Sequence, residues 1–546
     1  MIHTKIIDVK AKENQDAKKA ANHQALLEYF EQATVGAKCM YNVANFYIRN
    51  TMTGLSKEKE GKPLTQNEKD VLDTVRACVP AANQLRRDKL QKKIAEIQAD
   101  DSLRDDEKEA KIKEAQKKLK EFKYPTAKKW MLSFELLDAI FKITKNPDYY
   151  NDSVSSHVIQ DAIRECCGKW RSYFESNRKY KRSPEKMLGK PHIPGYIHGE
   201  KHTAIFDYQV CPVKENIATF PLKKLEFNIG DSLQDGLKIA EVRVVPYCGC
   251  FQIHIVAKDA LPDPYSNVKD DVKLDIKPGD GVMAIDLGLV NFAAIVDNKG
   301  HTPIIIKGGF LKARNQWFNK RISVLRSAQM KGHDPEKYHP PYTKAMNQIL
   351  RKRNAFLRDS FYKIAHFICR TASERGIKFI IVGKNKNWKQ GINIGHKNNQ
   401  EFVQIPHAKF IKILYIVSRQ YGIMVDTIPE SYTSKASFLD KDSIPDYDSK
   451  NKEHHIFKGT RKCRGLYVSA DGKCINADIN GACNIGRKYS ESVFDNIKDY
   501  SYLCGDIMSL NFRSFYQGTK EDEERDKNRQ KKKEQKLAEL RSAKTA

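Results

Sequence analysis

The sequence predicts a multidomain α+β protein, and three observations carry that reading. At 546 residues the chain is too long for one ordinary core, so three or more domains are expected. Its first third places apolar residues at three- and four-residue spacing, as packed helices do. Beyond residue 281, strand-length apolar runs alternate with long helical stretches, which implies a mixed sheet with helices on its faces.

Residues 5–12 alternate like a strand. From Asn22 to Ile48, "ALLEYFEQATVGAKCMYNVANFYI" has the helical period. Asn83 to Phe122 reads as two charged amphipathic helices with a turn at Asp100–Ser102, a solvated hairpin whose Lys-rich faces suit a phosphate backbone. Ser155 to Arg182 is a further helix ending in Trp170, Arg171, Tyr173, Phe174, Lys179, Tyr180 and Arg182. Aromatics interleaved with cations suit base stacking beside phosphate contact. An aromatic stripe facing the core, with a wet basic back, has the same pattern. "GKPHIPGYIHG" breaks the helix, and "HTAIFDY", "IATFPL", "KIAEVRVVPY" and "CFQIHIVAK" follow as strands of a small β domain, read as a barrel.

A Pro-, Asp- and Lys-rich linker, 261–280, leads into "GVMAIDLGLVNFAAIVDNKG", a hairpin with Asp286 in its first strand. Next come a strand at Thr302–Ile306, a long helical region ending at Gly376, the strand "IKFIIVG", the helix "VQIPHAKFIKILYIVSRQYG" and the strand "IMVDTIP". The C-terminal "KEDEERDKNRQKKKEQKLAELRSAKTA" is charged and of low complexity, a disordered tail or free helix.

The formal net charge of +28 is the strongest bulk signal. Such an excess opposes compaction unless a polyanion screens it, so nucleic acid is the expected partner. A basic membrane-binding protein would carry an amphipathic anchor or a lipidation signal, and neither is legible. There is no apolar run of spanning length and no secretory h-region at the N-terminus, so a cytoplasmic protein is expected. The 12 cysteines include no C-x-x-C pair and read as reduced thiols.

Sites in α/β sheets form beyond strand ends, so acids there are candidates. Asp286 is one. Asp478 in "INADINGACNIGRK" is another; it precedes a helical pattern, where an N-cap role is the plain alternative. Together, "AIDLG", "ADINGACNI", "KPHIPGY", the "YTSK" motif at Tyr432–Lys435 and the order of domains resemble the TnpB-like RNA-guided nucleases and compact type V CRISPR effectors. The resemblance covers residues 275–490 in sequence and the N-terminal half in architecture.

It implies an RNase-H-like (RuvC) mixed α/β nuclease domain, a small wedge-like β-barrel domain and a helical recognition domain. The expected boundaries are 1–20 for the first strand or strands of the barrel, 21–188 for the recognition domain and 189–270 for the barrel. The nuclease domain would take 271–432 and 474–505, with a target-strand-loading or degenerate zinc-ribbon lobe inserted at 433–473 and a charged tail at 506–546. It also implies that Asp286 and Asp478 are catalytic metal ligands. Phosphodiester hydrolysis by two hard cations about 4 Å apart needs several carboxylates, because magnesium takes oxygen ligands.

Two departures stand out. The family's third acid, at the end of the central strand, falls on Gly383, followed by Lys384 and Asn385. Glu430, at the end of the next strand, is the expected replacement, since a step of one strand is about 5 Å and within a glutamate's reach. Asp426 inside the strand, Glu401 in a loop and Glu374 before the strand are rival donors. The family's four-cysteine ribbon is reduced to Cys463 and Cys474, with His454 and His455 nearby, which lacks zinc's paired ligand spacing; no structural zinc is expected.

The implied activity is RNA-guided cleavage of double-stranded DNA at a single RuvC site, with Asp286, Glu430 and Asp478 holding two Mg2+ ions, or Mn2+. Guide RNA and target DNA carrying a short flanking motif are the expected partners, with no membrane. Arg351, Lys352 and Arg353 in "RKRNAFLR", with Tyr432 and Lys435, are further candidate nucleic-acid contacts. The rivals are a nuclease-dead guided DNA-binding repressor, which Gly383 would explain, and an unguided nuclease acting on DNA structure.

Overall fold

The computed structural model describes all residues except 1, 10–16, 101, 103, 119, 188, 231–236, 259–272, 335–336, 385–404, 447–454, 464, 512–514 and 516–546. Asn385, Glu401, His454, most of the linker and residues 516–546 of the tail thus lie outside the described residues. The chain divides into two compact units, Met1–Leu261 and Pro262–Ala546, and both mix helices with sheets.

In the first unit the strand β1 (Ile2–Asp8) precedes the helices α1 (Ala17–Lys59), α2 (Gln66–Gln98), α3 (Asp105–Lys118), α4 (Phe134–Ile143) and α5 (Ser156–Arg182). Six strands follow: β2 (Ala204–Asp207), β3 (Val213–Lys214), β4 (Ile217–Phe220), β5 (Leu225–Asn228), β6 (Lys238–Tyr247) and β7 (Cys250–Lys258). The apolar period of α1 becomes its buried stripe: Leu26, Tyr29, Phe30, Ala33, Ala37, Met40, Tyr41, Ala44 and Ile48. Thr65 caps α2 reciprocally with Glu68, whose carboxylate also takes a 2.7 Å ion pair from Lys57. In α2 the buried residues stop at Asn83, and the remainder of the helix is solvated.

The expected barrel is not closed among the described residues. The strands pair as two open antiparallel sheets, β1-β7-β6-β2 and β3-β4-β5, and no pairing closes either among the described residues. The long β6–β7 hairpin recruits β1 from more than 240 residues away, with Ile2 opposite Lys258.

The second unit is built on a six-stranded sheet. Its strands are β8 (Val282–Leu287), β9 (Asn291–Asp297), β10 (Ile304–Lys307), β11 (Phe379–Gly383), β12 (Met424–Ile428) and, last in the chain, a strand at Met508–Leu510. Their order is β12-β11-β8-β9-β10 and then Met508–Leu510. β12, β11 and β8 run parallel, whereas β8-β9-β10 is an antiparallel meander. Helices α6 (Gly309–Met330), α7 (Lys344–Glu374), α8 (His407–Gln420) and α9 (Ala477–Tyr489) complete the unit, with a small sheet of β13 (Thr460–Cys463), β14 (Leu466–Val468) and β15 (Cys474–Asn476).

The two-residue period of β8 sorts its side chains. Met283, Ile285 and Leu287 join the core under α7 and α8, while Val282 and Ala284 join the core under α9. Asp286 shares parity with Val282 and Ala284 and so faces α9. By the same parity Gly383 follows Phe379 and Ile381 onto that face. None of the described helices is long and apolar enough to cross a membrane.

Candidate active site

The site forms where β8, β11 and β12 end under the first turn of α9. The register pairs Val382 with Ile285, so one residue further the two strands reach Gly383 and Asp286 side by side. β11 and β12 pair in parallel with Gly383 opposite Ile428, which puts Glu430 just past the end of the neighbouring strand. Glu430 fills the space that Gly383 leaves. A Cβ built on Gly383 would lie 2.7 Å from both Cγ and Oε1 of Glu430, and 2.5 Å from Cδ1 of Ile485. Glu430 thus brings its carboxyl group over this backbone position from the end of the next strand.

A second glycine gives Asp286 its room. A Cβ on Gly481 of α9 would stand 2.7 Å from Asp286 Oδ2. Helix and carboxylate approach closely because position 481 has no side chain. Asp286 retains some solvent access, but protein crowds its carboxylate. Burial, and then the charge of Asp478, push its pKa well above the usual carboxylate range, with Arg461 pulling the other way. Glu430 is raised as well, by burial and then by Asp286. Asp286 thus stands electrostatically between the other two acids.

Asp478 is not the helix cap. Asn476 is, its side chain accepting from the backbone N–H groups of Asp478 and Ile479 at 3.0 and 3.3 Å. The Asp478 side chain is thereby left to the site. Its Oδ2 accepts from Asn291 Nδ2 at 2.6 Å, and its Oδ1 lies 3.6 Å from the Arg461 guanidinium. Asn291 and Arg461 were not legible as site residues.

The loop after Glu430 is held by α9. Asn480 and Asn484 donate to Ala436 O at 2.8 and 2.7 Å, Asn484 also to Thr433 O at 2.9 Å, and Lys488 to Ser431 O at 3.1 Å. These three residues recur every four positions on one helix face, a spacing visible in "NGACNIGRK". Thr433 closes the turn, donating from both backbone N–H and Oγ1 to Glu430 O. The Tyr-Thr-Ser motif and the Asn-rich helix thus act together to place Glu430.

The donor set is all oxygen, which suits a hard divalent cation. Two glycines clear the space into which Glu430 and Asp286 reach, and the repulsion between these acids is what a cation would relieve. By chemistry and by cradle the residues fit such an ion. Among the described residues no three His, Cys, Asp or Glu side chains already stand close enough to hold one ion together.

Residues 266–389 match the OrfB_IS605 family model, described as a probable transposase. That span contains Asp286 and Gly383. A TnpB-like protein of Acidianus two-tailed virus, ORF457, is 24% identical over 224 residues, covering 40% of this chain. The chain spans 44% of the length of that relative. The resemblance to TnpB read from the sequence is therefore borne out by a family model and by a curated relative. Among solved structures, the chain is similar to one in a Cas12f1–sgRNA–target DNA complex, with a TM-score of 0.27, 12% identity and coverage of 89% of this chain and 98% of that one. It is likewise similar to one in an AacC2c1–sgRNA binary complex, with a TM-score of 0.28, 12% identity and coverage of 88% and 82%.

The other candidates separate. Trp170 is corrected: it is fully buried, its Nε1 donates to Asn45 Oδ1 at 2.9 Å, and Trp130 packs edge-on at 5.5 Å, so its ring cannot stack on a base. Arg171, Lys179 and Arg182 of the same helix are exposed. Arg353 turns inward, its Nε donating to Asn315 at 2.8 Å and its guanidinium lying over Phe318, while Lys352 is exposed and Arg351 partly so. Tyr432, at a φ of 62°, packs against His455, and exposed Lys435 stands 6.0 Å from its ring; both line a cleft of about 1300 Å³ with Lys441, Arg487 and Tyr500. Of the rival donors, Asp426 accepts from the Tyr489 hydroxyl at 2.6 Å and from Thr427 N at 2.7 Å, so it is already committed to the core beside α9. Glu374 ends α7, at the opposite end of β11 from the site. Cys463 and Cys474 lie on β13 and β15, the outer strands of the small sheet, with β14 between them.

Proposed function

We propose that the protein is an RNA-guided DNA endonuclease that hydrolyses phosphodiester bonds at one site formed by Asp286, Glu430 and Asp478. The observation that carries this reading is Glu430 lying over Gly383, which supplies the third carboxylate beside Asp286. Asp286, Glu430 and Asp478 would hold divalent metal. When bound, Mg2+ or Mn2+ supplies an activated water and stabilises the leaving oxyanion. The chain's own part is to hold the acids. Gly383 and Gly481 make room, Asn480, Asn484 and Lys488 fix the loop behind Glu430, and burial by Ile485 and α9 keeps bulk water from the Glu430 side.

The +28 charge and the TnpB resemblance support a guide RNA and a DNA target as partners. In this reading the first unit, as helical recognition and wedge-like β domains, grips the guide–target duplex by its backbone and shape. Base pairing supplies sequence choice, and the protein reads only a short flanking motif. The segment 433–473 is a lobe beside the site that handles the substrate strand, without structural zinc.

The test is cleavage of a matched duplex by the protein with its copurified RNA and Mg2+. Asp286→Ala, Asp478→Ala and Glu430→Gln should each lower cleavage by about 100-fold or more and leave guided binding in place. A parent protein that binds the target but does not cut it with Mg2+ or Mn2+ would replace this reading with that of a guided repressor.

A further inference from the structure

Asp478 is reached from the sheet by two side chains in series. Lys307 Nζ donates to Asn291 Oδ1 at 3.1 Å, and Asn291 Nδ2 donates to Asp478 Oδ2 at 2.6 Å. Asn291 opens β9 and Lys307 closes β10. The antiparallel register would bring Lys307 opposite Phe292, but it shifts between Ile306 and Lys307, so Lys307 faces Asn291. A bulge of this kind re-aims a side chain at the end of a ladder. Here it aims Lys307 at an amide instead of at a buried ring. The clasp between Gly308 N and Val290 O, at 2.8 Å, closes the same corner.

We infer that Lys307 and Asn291 form a positioning relay that orients the Asp478 carboxylate for metal capture. This rests on the reading of Asp478 as a ligand. An asparagine amide has a donor end and an acceptor end, and a lysine ammonium can only donate. Lys307 therefore fixes which way the amide points: oxygen toward the ammonium, nitrogen toward Asp478. With the amide reversed, its oxygen would face the carboxylate and repel it. Held as it is, Asp478 presents one oxygen to the amide and turns its other oxygen toward the Arg461 guanidinium, 3.6 Å away. A ligand already oriented loses less freedom when an ion arrives, which is why the outer partners of metal ligands influence affinity.

The experiment measures Mn2+ binding to the full-length chain by calorimetry, taking the saturable component that Asp286→Ala removes. Asn291→Ala and Lys307→Met should each weaken it by about 10-fold, with Asn291→Ala the larger effect and up to about 100-fold. In an Asp478→Ala background neither change should weaken binding further, because the relay acts only through that carboxylate. A side chain that merely seals the sheet corner would lower the melting temperature equally in both backgrounds and leave Mn2+ affinity unmoved, which overturns the relay. Lys307→Met keeps the aliphatic stem and decides the matter if Asn291→Ala unfolds the corner. Should Asp478→Ala itself leave Mn2+ binding unchanged, the ligand reading fails and the relay falls with it; a loss in Asp478→Ala alone, with none in the relay variants, sinks only the relay.

Discussion

Two pairs of acids in this molecule show opposite behaviour. In the first unit, burial pushes Glu68 up, but Lys57, Thr65 and Thr53 overcome it and hold the group at about 2. Glu165, also in that unit, is likewise opposed by burial, and His202 and Lys169 hold it at about 2. In the second unit Asp286 and Glu430 are buried toward each other, and both rise. All four are carboxyl groups; in the first unit neighbouring cations and hydrogen bonds outweigh burial, whereas in the second burial and a neighbouring acid act together. Glu68 and Glu165 are complete as folded. At Asp286 and Glu430, burial and mutual repulsion oppose ionisation of both groups, and such an arrangement suits a visiting cation, whose charge would let the protons leave.

The comparison breaks most visibly at Glu430. Glu430→Gln removes one of the two repelling charges while keeping size, so cleavage should fall by about 100-fold or more in a metal-dependent assay, with the melting temperature of the metal-free chain held or raised. Gly383→Ala attacks the same point sterically. Its methyl would enter the space of Glu430 Cγ and Oε1, so cleavage should drop by about 10-fold or more as the carboxylate is displaced. A rescue through Gly383→Glu needs Glu430→Ala as its background, since a glutamine at 430 would still occupy that volume. An unchanged rate in Gly383→Ala would show that Glu430 does not work from this position.

The pH responses sharpen the contrast. The raised groups of the second unit hold protons when folded that the unfolded chain releases. The stability they permit is intact below the usual carboxylate range and is lost as pH climbs through their raised values. Acidifying the metal-free protein from about pH 8 to about pH 6 should therefore raise its melting temperature, and Glu430→Gln should remove most of that rise. Glu68 has the reverse sign: its contribution is full above about pH 4.5 and is lost as pH falls toward its folded value. Glu68→Gln should cost about 1–2 kcal/mol near neutrality in chemical denaturation and leave cleavage alone. The smallest expected effect on function is that of Trp170→Phe. It loses the bond to Asn45 and costs about 1–2 kcal/mol of stability, while RNA and DNA affinity stay at the parental level in a filter-binding titration.

Legibility followed locality. The hairpin carrying Asp286, the strands ending at Gly383 and Ile428, and the helix opening near Asp478 are all written in local periodicity. That Glu430 crosses to Gly383 depended on β11 and β12 being parallel neighbours, which spacing alone suggests without fixing. Trp170 misled because one aromatic stripe serves base stacking and core packing equally well; only burial against α1 decides. Barrel closure was not legible either, since strand patterns mark strands and not closure, and the partner of β7 is more than 240 residues away. Asn480, Asn484 and Lys488 were readable in principle from their four-residue recurrence, whereas the Lys307–Asn291 pairing depends on a one-residue register shift with no local signature.

The parallel pairing of β11 with β12 carries an implication for how relatives are recognised. Two strands that start together and run the same way end together, so their exits share one small volume at the rim of the sheet. A carboxyl group can be delivered to that volume from either exit, and the two deliveries are nearly 50 positions apart in the chain. Comparison column by column would record a loss at one place and an unrelated gain at another. On the proposed reading, such a chain would be scored as inactive by alignment although the volume at the rim of the sheet still holds a carboxyl group.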